Sequence, residues 1–167
     1  PEIIEAAHRA LDIYGFGSTG SQVTTGLSEL HRELNASVAK IHQKEASILF
    51  NSGYAANVGV ITALVGANDL VIADQLCHAS IQDGMQMCKG TSRFFRHNNP
   101  EHLRKILAKE RGNYNGALVI TEGVFSMDGD VAVLDQIYRI AREFGCRIMV
   151  DQAHCFGVVG PNALGVC

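Results

Sequence analysis

Short apolar runs alternate with stretches of helical periodicity along most of this 167-residue chain, and that alternation constrains the fold more than any other feature. Two helices are expected first, over residues 1–14 and over the segment carrying Leu27, Leu30, Leu34, Val38 and Ile41. A polar, glycine-rich loop at residues 15–26 separates them. Strands are then expected at residues 46–50, 70–73, 93–96, 117–121 and 147–150, with helices at 54–65, 79–87, 101–109 and 134–144. Strands that alternate with helices pair in parallel. The fold class is therefore α/β, a mostly parallel sheet with helices on both faces. Ligands of such sheets bind beyond the carboxyl ends of the strands. That rule gives weight to the polar residues just past each run: Asn51, Ser52 and Gly53, then Asp74, then His97, Asn98 and Asn99, then Glu122, then Asp151.

Composition narrows the possible partners. Hydrophobic residues make up 47% of the chain, which supports a sizeable core rather than a disordered segment. The formal net charge is -3 and there is no basic run, so nucleic acid and anionic membrane surfaces are not expected partners. No apolar run is long enough to span a bilayer, and the acidic start Pro1-Glu2-Ile3-Ile4-Glu5 is unlike a signal peptide. The cysteines Cys77, Cys88, Cys146, Cys155 and Cys167 form no C-x-x-C pair. They read as reduced thiols of a cytoplasmic protein, with no metal site expected. The chain opens inside a helical pattern and closes after a glycine-rich turn, so it reads as a piece of a longer polypeptide.

Two motif matches fail on context. Gly15-Phe16-Gly17-Ser18-Thr19-Gly20 fits G-x-G-x-x-G but follows a helix, where a dinucleotide fingerprint needs a strand. Asp151-Gln152-Ala153-His154 is similar to the Asp-Glu-Ala-His box of helicases, yet no phosphate loop lies upstream. Other positions carry more. Ser52-Gly53 sits between an expected strand and helix, where backbone N–H groups and the positive helix end can meet an anion. Asp151 ends an apolar strand, an expensive place for a carboxylate unless a cation or strong donor meets it. A protonated pyridine nitrogen would serve.

Taken together, the motifs resemble the α-oxoamine synthase family of pyridoxal-phosphate (PLP) enzymes, in the fold-type I, aspartate-aminotransferase-like group. The resemblance rests on residues 15–26, 49–57, 74–80, 97–99, 121–130 and 150–154, in that order. It implies part of the PLP-binding large domain (residues 27–167), preceded by an N-terminal helix and glycine-rich loop (residues 1–26). It also implies pyridoxal 5'-phosphate as cofactor and condensation of an amino acid with an acyl-CoA thioester.

Site roles follow from the same resemblance. Asp151 would pair with the pyridine nitrogen and His78 would stack on the ring. Ser126 and His154 would lie near the ring's phenolic oxygen. Ser52, Gly53 and Tyr54 would lie in the phosphate and ring-edge turn, and Glu122 near the substrate. The family's imine-forming lysine is expected tens of residues after Asp151, beyond Cys167, and no lysine follows Lys109 here. A homodimer is implied for the full-length protein. Gln22, Gln152, Cys155 and the turn at residues 162–165 depart from the residues usual in the family. Two alternatives stay open at this point: a lysine-less partner subunit of a heterodimeric synthase, or a lyase or aminotransferase of the same fold.

Overall fold

The computed structural model describes residues 1–167, which pack as two compact units, Pro1–Leu49 and Phe50–Cys167. In the first unit, α1 (Glu2–Tyr14) ends at Gly15 and α2 (Glu29–Ile41) follows the glycine-rich loop. Gly15 and Gly17 both adopt φ of +73°, a conformation available to glycine at little cost, and the loop is a series of turns. A helix precedes it, as expected, and no strand does.

The second unit is the α/β layer. In chain order it contains α3 (Gly53–Leu64), β1 (Asp69–Asp74), α4 (Ala79–Met87), β2 (Thr91–Phe95), α5 (Pro100–Glu110), β3 (Gly116–Glu122), α6 (Leu134–Glu143) and β4 (Arg147–Asp151). The four strands are all parallel, in the order β2-β1-β3-β4. Alternate residues along β1 and β3 feed two cores. Val71, Ala73, Leu118 and Ile120 pack with Ile61 of α3 and Ile81 and Met85 of α4. Leu70, Ile72, Ala117 and Val119 pack on the other face with Leu103 and Leu107 of α5 and Ile137 and Ile140 of α6. Burial on both faces is why these strands read as unbroken apolar runs rather than as alternating ones.

The expected strand at residues 46–50 does not form; this segment is irregular. A strand needs a neighbour to take its backbone hydrogen bonds, and no strand is paired with these residues. Ile48 is left 80% exposed, so apolar character alone misidentified the segment.

Two features of this layer shape what lies at its carboxyl edge. After β1 the chain turns into α4 on one face, and after β3 into α6 on the other. The diverging connections open a crevice beyond the strand ends, at the point where strand order reverses. The close approach of α3 and α4 depends on Gly84. A Cβ there would lie 2.9 Å from Cδ1 of Ile61 and 3.3 Å from Cα of Val58.

These contacts give stability predictions, read from the urea unfolding midpoint of the full-length polypeptide. Leu103→Ala empties a fully buried site and is expected to cost about 2–5 kcal/mol. Gly84→Val forces α3 and α4 apart and is expected to cost about 1–3 kcal/mol. An unchanged midpoint in either variant would contradict the packing described.

Candidate functional site

Strand register builds the site. Glu122 at the end of β3 is paired with Asp151 at the end of β4, so two carboxylates stand side by side at the rim of an apolar sheet. Neither takes part in any ion pair. Asp151 is held by amide donors: Asn57 Nδ2 donates to its Oδ2 at 2.8 Å and the Ala153 N–H to its Oδ1 at 2.9 Å. Glu122 Oε1 accepts the backbone N–H of His78. Burial, with the Asp151 charge adding to it, pushes the Glu122 carboxyl above its usual range despite that hydrogen bond.

Around these acids lies a cleft of about 120 Å³, lined by Gly53, Tyr54, Asn57, His78, Ser80, Glu122, Asp151, Ala153 and His154. Three segments meet there. The first turn of α3 brings Gly53, Tyr54 and Asn57; the start of α4 brings His78 and Ser80; the strand ends bring the rest. The connection after β1 is fixed because His78 caps α4, its ring nitrogen accepting the Ser80 N–H at 3.2 Å. Tyr54 is tied to α4 by a 2.8 Å hydrogen bond from its hydroxyl to Asp83, which also raises the phenol's pKa. A larger cavity of about 600 Å³ lies in the first unit, walled mainly by α1, the glycine-rich loop and α2. Its lining includes no carboxylate, so it offers less acid–base chemistry than the smaller cleft.

Six of the eight residues given site roles by the resemblance line this cleft: Gly53, Tyr54, His78, Glu122, Asp151 and His154. The other two do not. Ser52 caps α3, accepting the Ala55 N–H at 3.1 Å. Ser126 is exposed in the turn after β3. That turn is closed by hydrogen bonds from Phe125 N–H to the Asp130 carbonyl and from Gly129 N–H to the Phe125 carbonyl.

Asn57 and Ser80 lie in the stretches 49–57 and 74–80 that carry the resemblance, but no role was expected of either. Asn57 is 7% exposed and Ser80 fully buried. A usable signal existed for Asn57, a lone amide in the apolar run Ala55-Ala56-Asn57-Val58-Gly59-Val60-Ile61. A buried polar group of that kind needs partners.

A second polar network braces the turn. The His97 Nδ1 lies 3.0 Å from Oδ1 of fully buried Asp74, and its Nε2 lies 2.8 Å from Oδ2 of Asp130. Asn98 donates its backbone N–H to Asp74 and its side-chain amide to Asp130. The Phe125 ring meets the His97 ring edge-on, with centroids 4.5 Å apart. The remaining Asp130 oxygen is buried without a partner, leaving negative charge near the imidazole. Burial alone would lower the His97 pKa, but the hydrogen bonds to Asp74 and Asp130 outweigh it and raise the net value.

Comparisons with known proteins agree on one family. Residues 1–166 match the aminotransferase class I and II family. The 8-amino-7-oxononanoate synthase of Methylobacterium sp. (strain 4-46) is 47% identical over 98% of this chain and 43% of its own length. A serine palmitoyltransferase variant from S. paucimobilis, solved with a bound PLP–myriocin aldimine, superimposes with a TM-score of 0.95 at 38% identity. That match covers 99% of this chain and 41% of the other. The 8-amino-7-oxononanoate synthase of Francisella tularensis gives a TM-score of 0.79 at 32% identity, covering 96% of this chain and 43% of its own. Both enzymes are α-oxoamine synthases. The chain spans about 43% of the length of the curated relatives it matches. No helix is long and apolar enough to cross a membrane.

The raised His97 pKa sets a pH dependence. A histidine whose folded pKa exceeds its unfolded value contributes stability that is fully present below about pH 6.5 and is lost as pH rises through the folded value. Urea midpoints at about pH 6 and about pH 8 are expected to show wild type losing stability across that window, and His97→Gln losing less. Equal losses in the two proteins would mean that the His97 bridge does not carry this charge.

Proposed function

We propose that this chain, which belongs to the aminotransferase class I and II family, is the central part of the large domain of a PLP-dependent enzyme that joins an amino acid to an acyl-CoA thioester. The observation that carries the reading is the unpaired Glu122–Asp151 rim. Two carboxylates at the end of an apolar sheet, with amide donors but no cation, are suited to a cationic group entering the cleft. A protonated pyridine ring is such a group, so the residues present fit the cofactor.

When bound, pyridoxal 5'-phosphate supplies an electron-accepting ring conjugated to the substrate nitrogen. The chain's own residues have separate tasks. Asp151, oriented by Asn57 and Ala153, would hold the pyridine N–H and keep its proton in place. His78, fixed as the cap of α4, would cover one face of the ring and exclude water. Ser52, Gly53 and Tyr54 belong to the helix start suited to the phosphate, where the N–H groups of α3 converge. His154 and Ser126 would serve the phenolic oxygen, His154 from the cleft wall and Ser126 from the turn braced by His97. Glu122, whose carboxyl is held above its usual pKa range by burial, would act near the substrate as a group able to pass a proton.

The serine palmitoyltransferase and 8-amino-7-oxononanoate synthase relatives favour the acyl-CoA condensation over a transamination or lyase reaction. A homodimer in the cytoplasm completes the proposal for the whole protein. The test is the full-length polypeptide, loaded with pyridoxal 5'-phosphate and offered small amino acids with acyl-CoA thioesters. Asp151→Asn, nearly isosteric but uncharged, is expected to lower condensation turnover by at least about 10²-fold with the fold retained. Near-normal turnover in that variant would remove Asp151 from the role given to it. Failure of wild type to bind the cofactor would sink the reading itself.

A further inference from the structure

The hydrogen bonds joining Asp151 to His78 have only one consistent set of donor directions. An ionised carboxylate is a pure acceptor, so the Asn57 group 2.8 Å from Asp151 must be the NH₂. The same NH₂ lies 2.9 Å from Ser80 Oγ, so Ser80 accepts there. The Ser80 hydroxyl hydrogen is then free for the His78 Nδ1, 2.7 Å away. The backbone gives the same answer independently. The Ser80 N–H can only donate, and it points at that Nδ1 from 3.2 Å. Two donors converge on Nδ1, which must therefore carry the lone pair.

We propose that Asn57 and Ser80 are positioning residues in a hydrogen-bond relay that runs outward from the Asn57 amide, to the Asp151 carboxylate on one side and through the Ser80 hydroxyl to His78 Nδ1 on the other, which orients Asp151 and keeps the His78 proton on Nε2. The inference deepens the cofactor reading above and rests on it for its purpose. The two groups expected to meet the cofactor's ring nitrogen and ring face, Asp151 and His78, become one connected unit. The relay is shielded: Asn57 is 7% exposed and Ser80 fully buried, so water competes poorly for these bonds. Its geometry depends on the close packing of α3 on α4 at Gly84, because Asn57 stands on one helix and Ser80 on the other. The backbone of His78 is pinned separately by Glu122, so losing the relay would free the ring without releasing the loop.

The experiment uses full-length protein labelled with ¹⁵N-histidine. Two-bond ¹H–¹⁵N correlations distinguish Nε2–H from Nδ1–H rings, and cofactor binding is followed in parallel by absorbance titration with pyridoxal 5'-phosphate. Wild type is expected to show His78 as the Nε2–H tautomer. Ser80→Ala is expected to add an Nδ1–H population, and Asn57→Leu to raise the cofactor Kd about tenfold, the scale of one hydrogen bond to a charged group. An Nδ1–H ring in wild type overturns the relay, and needs no variant to fold. So does a wild type that binds the cofactor while both variants match it in tautomer and Kd. A wild type that does not bind the cofactor overturns the proposed function instead, and the wild-type histidine spectrum still decides the relay.

Discussion

Parallel pairing of β3 with β4 sets Glu122 beside Asp151, and most of what surrounds the cleft answers to that juxtaposition. A carboxylate at the end of an apolar strand is costly to bury, and a like charge next to it adds to the cost. The protein does not relieve it with an arginine or lysine. It supplies weaker, neutral donors instead: the Asn57 amide, the Ala153 N–H and the His78 N–H. These orient the oxygens but leave the negative charge in place. Burial, with the neighbouring Asp151 charge adding to it, raises the pKa of the Glu122 carboxyl. A site built this way suits the cationic ring proposed for it.

The rest of the α/β unit sets the stage for that edge. Two apolar cores clamp β1 and β3 from both sides, which fixes the height at which each strand ends. Connections that leave for opposite faces open the crevice between those ends. Gly84 lets α3 and α4 approach, which brings Asn57 within reach of both Asp151 and Ser80. Gly123 has a similar role on the far side, where a Cβ would collide with the Cys155 sulfur at 2.5 Å. The His97 bridge from Asp74 to Asp130 ties the turn after β3 back to β1, so the Ser126 segment is held from a strand it does not belong to.

What the sequence made legible follows from locality. Periodicity located every α-helix and four of the strands within a residue or two, because those patterns depend on neighbours in the chain. It failed at residues 46–50, where strand formation depends on a partner elsewhere in the fold. The site divides along the same line. Asp151, Glu122 and His78 stand just past apolar runs and could be picked out by position alone. Asn57 and Ser80 lie within helices, and their importance comes from a contact spanning 94 residues and another spanning 23. The paired role of Asp74 and Asp130 was hidden for the same reason, since His97 joins residues 23 and 33 positions away.

In the proposed holoenzyme Asp151 faces a protonated ring nitrogen. The most direct measurement is the ¹⁵N chemical shift of the ring nitrogen of labelled pyridoxal 5'-phosphate bound to the full-length protein near neutral pH. A protonated nitrogen is expected in wild type, with loss of that signature in Asp151→Ala. An unprotonated nitrogen in wild type, or a protonated one that ignores the loss of Asp151, would contradict this pairing.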